Sequence, residues 1–215
     1  MVWSTINYPA SVGKPLKGIS VKIGENDELL ARGPGTMLGY WNKPKATAEI
    51  IDSDGWLHTG DQAQISDSGH IYITGRIKDI LVMSNGEKVP PSDIEAAILL
   101  DDTFDQVLVI GEGQAFLSAL IVLNPDVWPE LAEHHQLDPN KTESLMDTQL
   151  ISTVMQRLKP ALSTFPAYAR IRHIKLYIEP WTIENGLLTP TMKIKRNKVI
   201  ERYQDDINTI YNEQR

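Results

Sequence analysis

The sequence predicts an α+β protein built in two parts. From residue 10 to 75, short β-branched or alternating runs recur between Gly, Asn, Asp and Ser punctuation, which reads as a β-rich stretch. After Asp79 strands alternate with helical periodicities that carry start and stop signals. The 215 residues, 41% hydrophobic and 23% charged, suffice for one large domain or two modest ones.

In chain order, "GISVKIGENDELLARG" reads as strand, turn, strand, with Gly24-Glu25-Asn26-Asp27 supplying the turn. "GTMLGYWNKPKATAEII" reads as a loop and then one short helix opened by Pro44. "GWLHTGD", "QAQIS" and "HIYIT" are three short strands, with Asp54-Gly55 before the first and Asp67-Ser68-Gly69 before the last. Strand 80–83 turns at Asn85-Gly86, a strong hairpin signal, into "EKV". "PPSDIEAAIL" starts a helix with a capping box: Ser92 can accept from the Glu95 amide, and the Glu95 carboxylate can reach back. "QVLVIG" and "FLSALIVL" are strands. Helical patterns follow over Asp126–Gln136, Glu143–Met146 and Thr148–Leu162, the last interrupted by Pro160. In it Leu150, Val154, Leu158 and Leu162 mark a core face. Strand "IRHIKLYI", loop "ENGLLTPT" and one helix from Ile194 to Asn212 complete a domain whose strands and helices share one small sheet.

Composition removes several function classes. With 21 Lys+Arg against 28 Asp+Glu, the chain is too acidic for a sequence-independent nucleic-acid binder. Five scattered tryptophans make no stacking platform. The absence of cysteine excludes disulfides, thiolate zinc sites and a cysteine nucleophile. His134-His135 point about 100° apart on a helix and have no acidic ligand pattern, so no metal site is expected. The longest apolar run, Ala115 to Leu123, is too short to span a bilayer, and "MVWSTINYPAS" is polar and loop-like rather than a signal segment. A soluble, cytoplasmic protein is the expectation.

"IYITGRIKDILVM", Ile71 to Met83, poses the sharpest local question. Two apolar β-branched runs flank Gly75-Arg76-Ile77-Lys78-Asp79, a connector too charged for a hairpin turn and too short for a crossover.

Four stretches in order, "ELLARGPGTMLGYWNKP", "GWLHTGD", "GRIKDILVMSNGEKVPPSDIE" and "LTPTMKIKR", closely resemble the C-terminal part of the AMP-forming acyl-CoA synthetases. This adenylate-forming superfamily includes luciferases and peptide-synthetase adenylation domains. The "SNGEKV" loop and final motif look most like its long-chain fatty-acid branch. The resemblance covers nearly the whole chain and implies a fragment, expected to be inactive alone. It lacks the Ser/Thr/Gly-rich phosphate loop, the adenine segment and the acyl pocket. Residues 1–77 would be the β-rich end of the large N-terminal domain, and residues 78–215 the small mobile C-terminal α+β domain.

The resemblance also assigns roles. Lys78 would be the hinge about which the small domain swings; a solvated charged segment suits a hinge, and a plain charged bulge is the alternative. Asp61, closing "HTGD", looks like the ribose anchor, since a carboxylate can accept from both hydroxyls of a vicinal diol. Alternatively, Gly60-Asp61 is only a turn. Arg76 resembles the arginine that reaches the nucleotide through ribose or phosphate; otherwise it makes a surface ion pair. Lys193 corresponds to the lysine of adenylation, whose ammonium stabilises charge where carboxylate joins the α-phosphorus of ATP. In the common pattern glycine precedes that lysine; here Met192 does, as the long-chain branch tolerates. Lys195, Arg196 and Lys198 crowd the segment, so a basic surface patch is the competing reading. Ser84, Asn85, Gly86 and Glu87 would line the channel for the coenzyme A arm, where glycine lets backbone approach a narrow ligand; Gly86 could equally be the φ > 0 residue of a type I′ turn.

The implied substrates are fatty acid, ATP with Mg²⁺, and coenzyme A, none of them tightly bound by the fragment. The implied partner is the missing N-terminal domain, and peripheral membrane contact of the parent is compatible. Activation of another acid, or a non-enzymatic binding module on the same fold, are the alternatives. An intact Asp61, Arg76 and Lys193 argue against the module.

Overall fold

A computed structural model describes residues 8–212, and of Lys78 only the backbone. The polar opening segment falls mostly outside them. The chain divides into two compact units, one ending at Ile80 and one beginning at Leu81.

The first unit is a four-stranded antiparallel meander, β1 (Ser20–Ile23), β2 (Glu28–Arg32), β3 (Leu57–Ile65) and β4 (Ile71–Arg76), paired in chain order. Between β2 and β3 lies α1 (Pro44–Ile50), with Pro44 in its first turn as expected. "GWLHTGD" and "QAQIS" are not two strands. They form the single strand β3, because bulges absorb the irregularity that reads as a break. The first bulge sets three residues, Thr59, Gly60 and Asp61, against the one residue Leu29. The second leaves Thr74 of β4 unpaired between Gly75 and Ile73. Residues Ile77–Asp79 close the unit as one 3-10 turn.

The second unit opens with a hairpin, β5 (Leu81–Val82) and β6 (Lys88–Val89). Then come α2 (Pro91–Ile98), β7 (Phe104–Ile110), β8 (Leu117–Leu123), α3 (Trp128–His134), α4 (Thr148–Ala161), β9 (Ile171–Tyr177), α5 (Arg196–Arg202) and α6 (Gln204–Asn212). The hairpin stands apart from a three-stranded sheet in which β8 pairs antiparallel with β7 and parallel with β9, so the unit has two sheets rather than one.

Every residue of β8 is buried, because both faces of its sheet are covered. Val107, Val109, Ala119 and Ile121 pack with α2, α3 and α4; Leu108, Ile110, Leu120 and Val122 pack with Trp181, Leu187, Leu188, α5 and α6. Ser118 apart, this is the apolar run of a central strand. The anticipated α4 face is buried at Leu150, Val154, Leu158 and Leu162. Pro160 does not interrupt that helix. It stands one residue from the end, so the one i→i−4 bond it forfeits, to the Gln156 carbonyl, lies in the last turn and no helix beyond it is lost.

The expected single C-terminal helix is broken at Tyr203, whose φ of −107° and ψ of 25° separate α5 from α6. The corner lets Val199 and Ile207 face the same core while Tyr203 packs on Tyr177, ring centroids 4.3 Å apart. The capping box does not form either. The helix α2 starts two residues early, Pro90 takes the cap position without a side-chain bond, and Glu95 turns away from Ser92. Its Oε1 accepts from the Val109 amide at 2.7 Å and from Arg196 Nη1 at 2.6 Å.

Candidate functional site

Asp61 and Arg76 are brought together. They face each other across β3 and β4, and Arg76 Nε donates to Asp61 Oδ1 at 2.9 Å. Arg76 is largely exposed and Asp61 about a third so. Asp61 is the last residue of the first bulge, and the second follows one pair further on; bulges are devices that re-aim side chains at a sheet rim. Gly60 takes φ +73°, a conformation L side chains resist, and its amide donates to Glu28 Oε1 at 2.9 Å. Thr59 Oγ1 donates to the Leu29 carbonyl at 2.7 Å and accepts from the Asp61 amide at 3.1 Å. Glu28 Oε2 also meets His58 Nδ1 at 2.7 Å. The bond between Arg76 and Asp61 uses one of the guanidinium's five N–H donors and one of two carboxylate oxygens, so both groups retain capacity for a ligand.

Lys78 lies, by its backbone, within the 3-10 turn that ends the first unit. Ser84, Asn85, Gly86 and Glu87 form the exposed tip of the β5–β6 hairpin. The turn is not type I′: the Gly86 amide donates to Met83 O at 2.9 Å, and Gly86, not Asn85, takes positive φ, +84°. Ser84 and Asn85 are its central residues and Gly86 the left-handed residue after them, an arrangement that needs φ > 0 once rather than twice. The neighbouring loop braces the hairpin. Glu112 Oε2 accepts from the Val82 amide at 2.8 Å, and the Ser84 amide donates to Gln114 O at 3.0 Å.

Lys193 is exposed at the end of a tight turn, Thr189-Pro190-Thr191-Met192. The Met192 amide donates to Thr189 O at 2.9 Å, the Thr189 amide to Lys193 O at 2.8 Å, and the Lys193 amide to Thr189 Oγ1 at 3.0 Å. Met192 itself adopts φ +62°. Glycine would take this conformation without side-chain strain. Left-handed backbone costs an L residue about 1–2 kcal/mol, while glycine's added chain entropy costs about 0.5–1 kcal/mol. Met192→Gly is therefore expected to stabilise the second unit by up to about 1 kcal/mol by urea unfolding. Met192→Ala, facing the same φ, should gain nothing. Past the turn, Arg196 anchors the segment on Glu95 and on the Val109 carbonyl.

Residues 78–215 match the AMP-binding enzyme C-terminal domain, 138 of the 215 residues. The chain belongs to that family. Among curated members and relatives, it is 33% identical to "Long-chain-fatty-acid--CoA ligase FadD15" of Mycobacterium tuberculosis, over 95% of this chain and 34% of that protein. It is 31% identical to "Long-chain-fatty-acid--[acyl-carrier-protein] ligase AEE15, chloroplastic" of Arabidopsis thaliana, over 95% of this chain and 29% of that one. Its fold is similar to the A domain of carboxylic acid reductase from Segniliparus rugosus in complex with AMP and a co-purified carboxylic acid. There the TM-score is 0.75 and the identity 26%, covering 87% of this chain and 28% of that one. The chain thus spans about a third of the length of the curated relatives it matches.

Sequence reading did not find the side chains that support the candidate residues. Glu95 reads as a cap partner, and Arg196 as one of several basic residues. Both signals are local, whereas their pairing joins residues 101 positions apart. Glu28 and His58, 30 apart, escape for the same reason.

Proposed function

We propose that the chain supplies the C-terminal third of an AMP-forming long-chain fatty-acid ligase, working on fatty acid, MgATP and a thiol. The match along 95% of its length to a long-chain-fatty-acid–CoA ligase carries this reading. In the first half-reaction a carboxylate oxygen of the fatty acid attacks the α-phosphorus of ATP, and the bond to pyrophosphate breaks. Asp61 accepts from the ribose hydroxyls, and Arg76, hydrogen-bonded to it, reaches the nucleotide. Lys193, held at its amide and carbonyl by Thr189, offers its ammonium to the charge that gathers on phosphorus. In the second half-reaction the thiol sulfur attacks the acyl carbon, its proton is lost and AMP leaves. Lys78 is the pivot between the two, and the tip Ser84–Glu87 lines the thiol's channel. Cytoplasmic placement with peripheral membrane contact, where fatty acids partition, belongs to the same proposal; among the described residues no helix is long and apolar enough to cross a membrane.

Identity to a carrier-protein ligase favours a second reading of the acceptor, in which the thiol arrives on an acyl-carrier protein. One experiment tests both points. The full-length protein is given benzoate and straight-chain acids from acetate to stearate with ATP, and AMP release is followed with coenzyme A or with pantetheinylated carrier protein as acceptor. Long chains with coenzyme A should react best. A sharp preference for acetate or benzoate would sink the long-chain assignment, and turnover with carrier protein alone would replace the acceptor.

A further inference from the structure

We propose that Glu28 is a positioning residue for Asp61, acting through the backbone of Gly60; the inference rests on the reading of Asp61 as the ribose acceptor. Where Thr59, Gly60 and Asp61 oppose the single residue Leu29, the ladder between β2 and β3 is interrupted. An extra stretch of this kind keeps one shape only if its backbone groups find other partners. Here side chains supply them. Thr59 Oγ1 serves the Leu29 carbonyl and the Asp61 amide, and the Gly60 amide goes to Glu28.

Glu28 is suited to the task. Its side chain is only 14% exposed, and its two oxygens are divided between the Gly60 amide and the His58 ring. His58 Nε2 stands 4.0 Å from Asp52 Oδ2, and Asp52 Oδ1 is itself fixed by the amides of Asp54 and Trp56 at 2.9 and 2.8 Å. The carboxylate is thus steered from one side by the imidazole while it grips the bulge from the other. Gly60 at φ +73° is the residue whose conformation has most freedom to change if that grip is lost. Asp61 follows it directly, so the carboxylate that faces Arg76 is aimed from a residue 33 positions upstream.

The test is steady-state kinetics of the full-length protein with Glu28→Ala, Glu28→Gln, Asp61→Ala and the double variant Glu28→Ala/Asp61→Ala. Glu28→Ala should raise KM for ATP roughly tenfold, the effect of one hydrogen bond to a charged acceptor. KM for the acid should stay unchanged. Glu28→Gln, whose amide oxygen can still accept from Gly60, should recover most of the loss. In the Asp61→Ala background, Glu28→Ala should add less than about twofold, because its target is already gone. Equal rises in both KM values, or full additivity, would overturn the positioning role. An ATP-sensitive Asp61 beside an insensitive Glu28 would overturn it too and spare the Asp61 reading. An insensitive Asp61→Ala would instead place the fault in that reading. Amide exchange at Gly60 in the isolated chain gives a readout apart from activity, expected to be protected in wild type and Glu28→Gln and fast in Glu28→Ala. If Glu28→Ala is too unstable to purify, Glu28→Asp, a methylene too short to reach both partners, takes its place.

Discussion

Arg196→Ala should destabilise the second unit by about 3–5 kcal/mol, the range found when one partner of a buried ion pair is removed. The pair is mostly shielded, with side chains 20% and 14% exposed for Arg196 and Glu95. It also closes a piece of the sheet's edge strand. Glu95 accepts from the amide of Val109, and Arg196 donates to the carbonyl of the same residue. Truncating Arg196 strands a buried carboxylate and orphans that carbonyl together. Glu95→Gln should cost less, since its amide oxygen still receives the Val109 N–H. Glu95→Ala/Arg196→Ala should cost less than the two single losses added, because the stranded charge is gone. Hydrogen exchange of the β8 amides, which report opening of this unit, gives the measurement. Equal exchange in wild type and Arg196→Ala would show that the pair contributes nothing to stability.

Lys193→Ala in the full-length protein should slow formation of the acyl-adenylate on the order of 100- to 1,000-fold, the effect of deleting one preorganised electrostatic stabiliser. Thioester formation from pre-made acyl-adenylate should survive, since the lost charge acts on the first transition state alone. Lys78→Pro should behave differently. If Lys78 is the proposed pivot, fixing φ there should trap one orientation and slow whichever half-reaction needs the other. Single-turnover kinetics of each half-reaction separate the two variants. If Lys193→Ala slowed both halves alike, the lysine would be serving binding or folding, and its assigned role would be wrong.

The parts of this chain that could be read from sequence are those whose cause is local. Proline at the start of α1, the glycine turn of the β5–β6 hairpin and the four-residue spacing from Leu150 to Leu162 each act within a few positions. Asp61, Arg76 and Lys193 could be singled out as candidates because their motifs sit in contiguous stretches. The failures share a different origin. Ser92 and Glu95 satisfy the local rule for a cap, but Glu95 has a stronger partner in Arg196, brought in by the tertiary fold. The strand β3 reads as two because its first bulge is held by Glu28 from another strand. The C-terminal helix looked continuous because nothing near Tyr203 announces that it packs on Tyr177.

A sheet covered on both faces has nothing left to offer a partner but its rims and loops. In the second unit the β8 side chains are spent entirely on their own core. Whatever this unit touches must therefore meet it through the outer faces of its helices or through projections such as the tip Ser84–Glu87 and the turn that carries Lys193, both exposed. Interior and function can then vary on separate schedules. Conservative exchanges among Leu120, Ile121 and Val122 should alter rigidity without altering what is recognised, while a change of one or two residues at a tip can redirect recognition without unsettling the fold. If the proposed roles of these tips hold, the unit is a handle whose working ends can be exchanged.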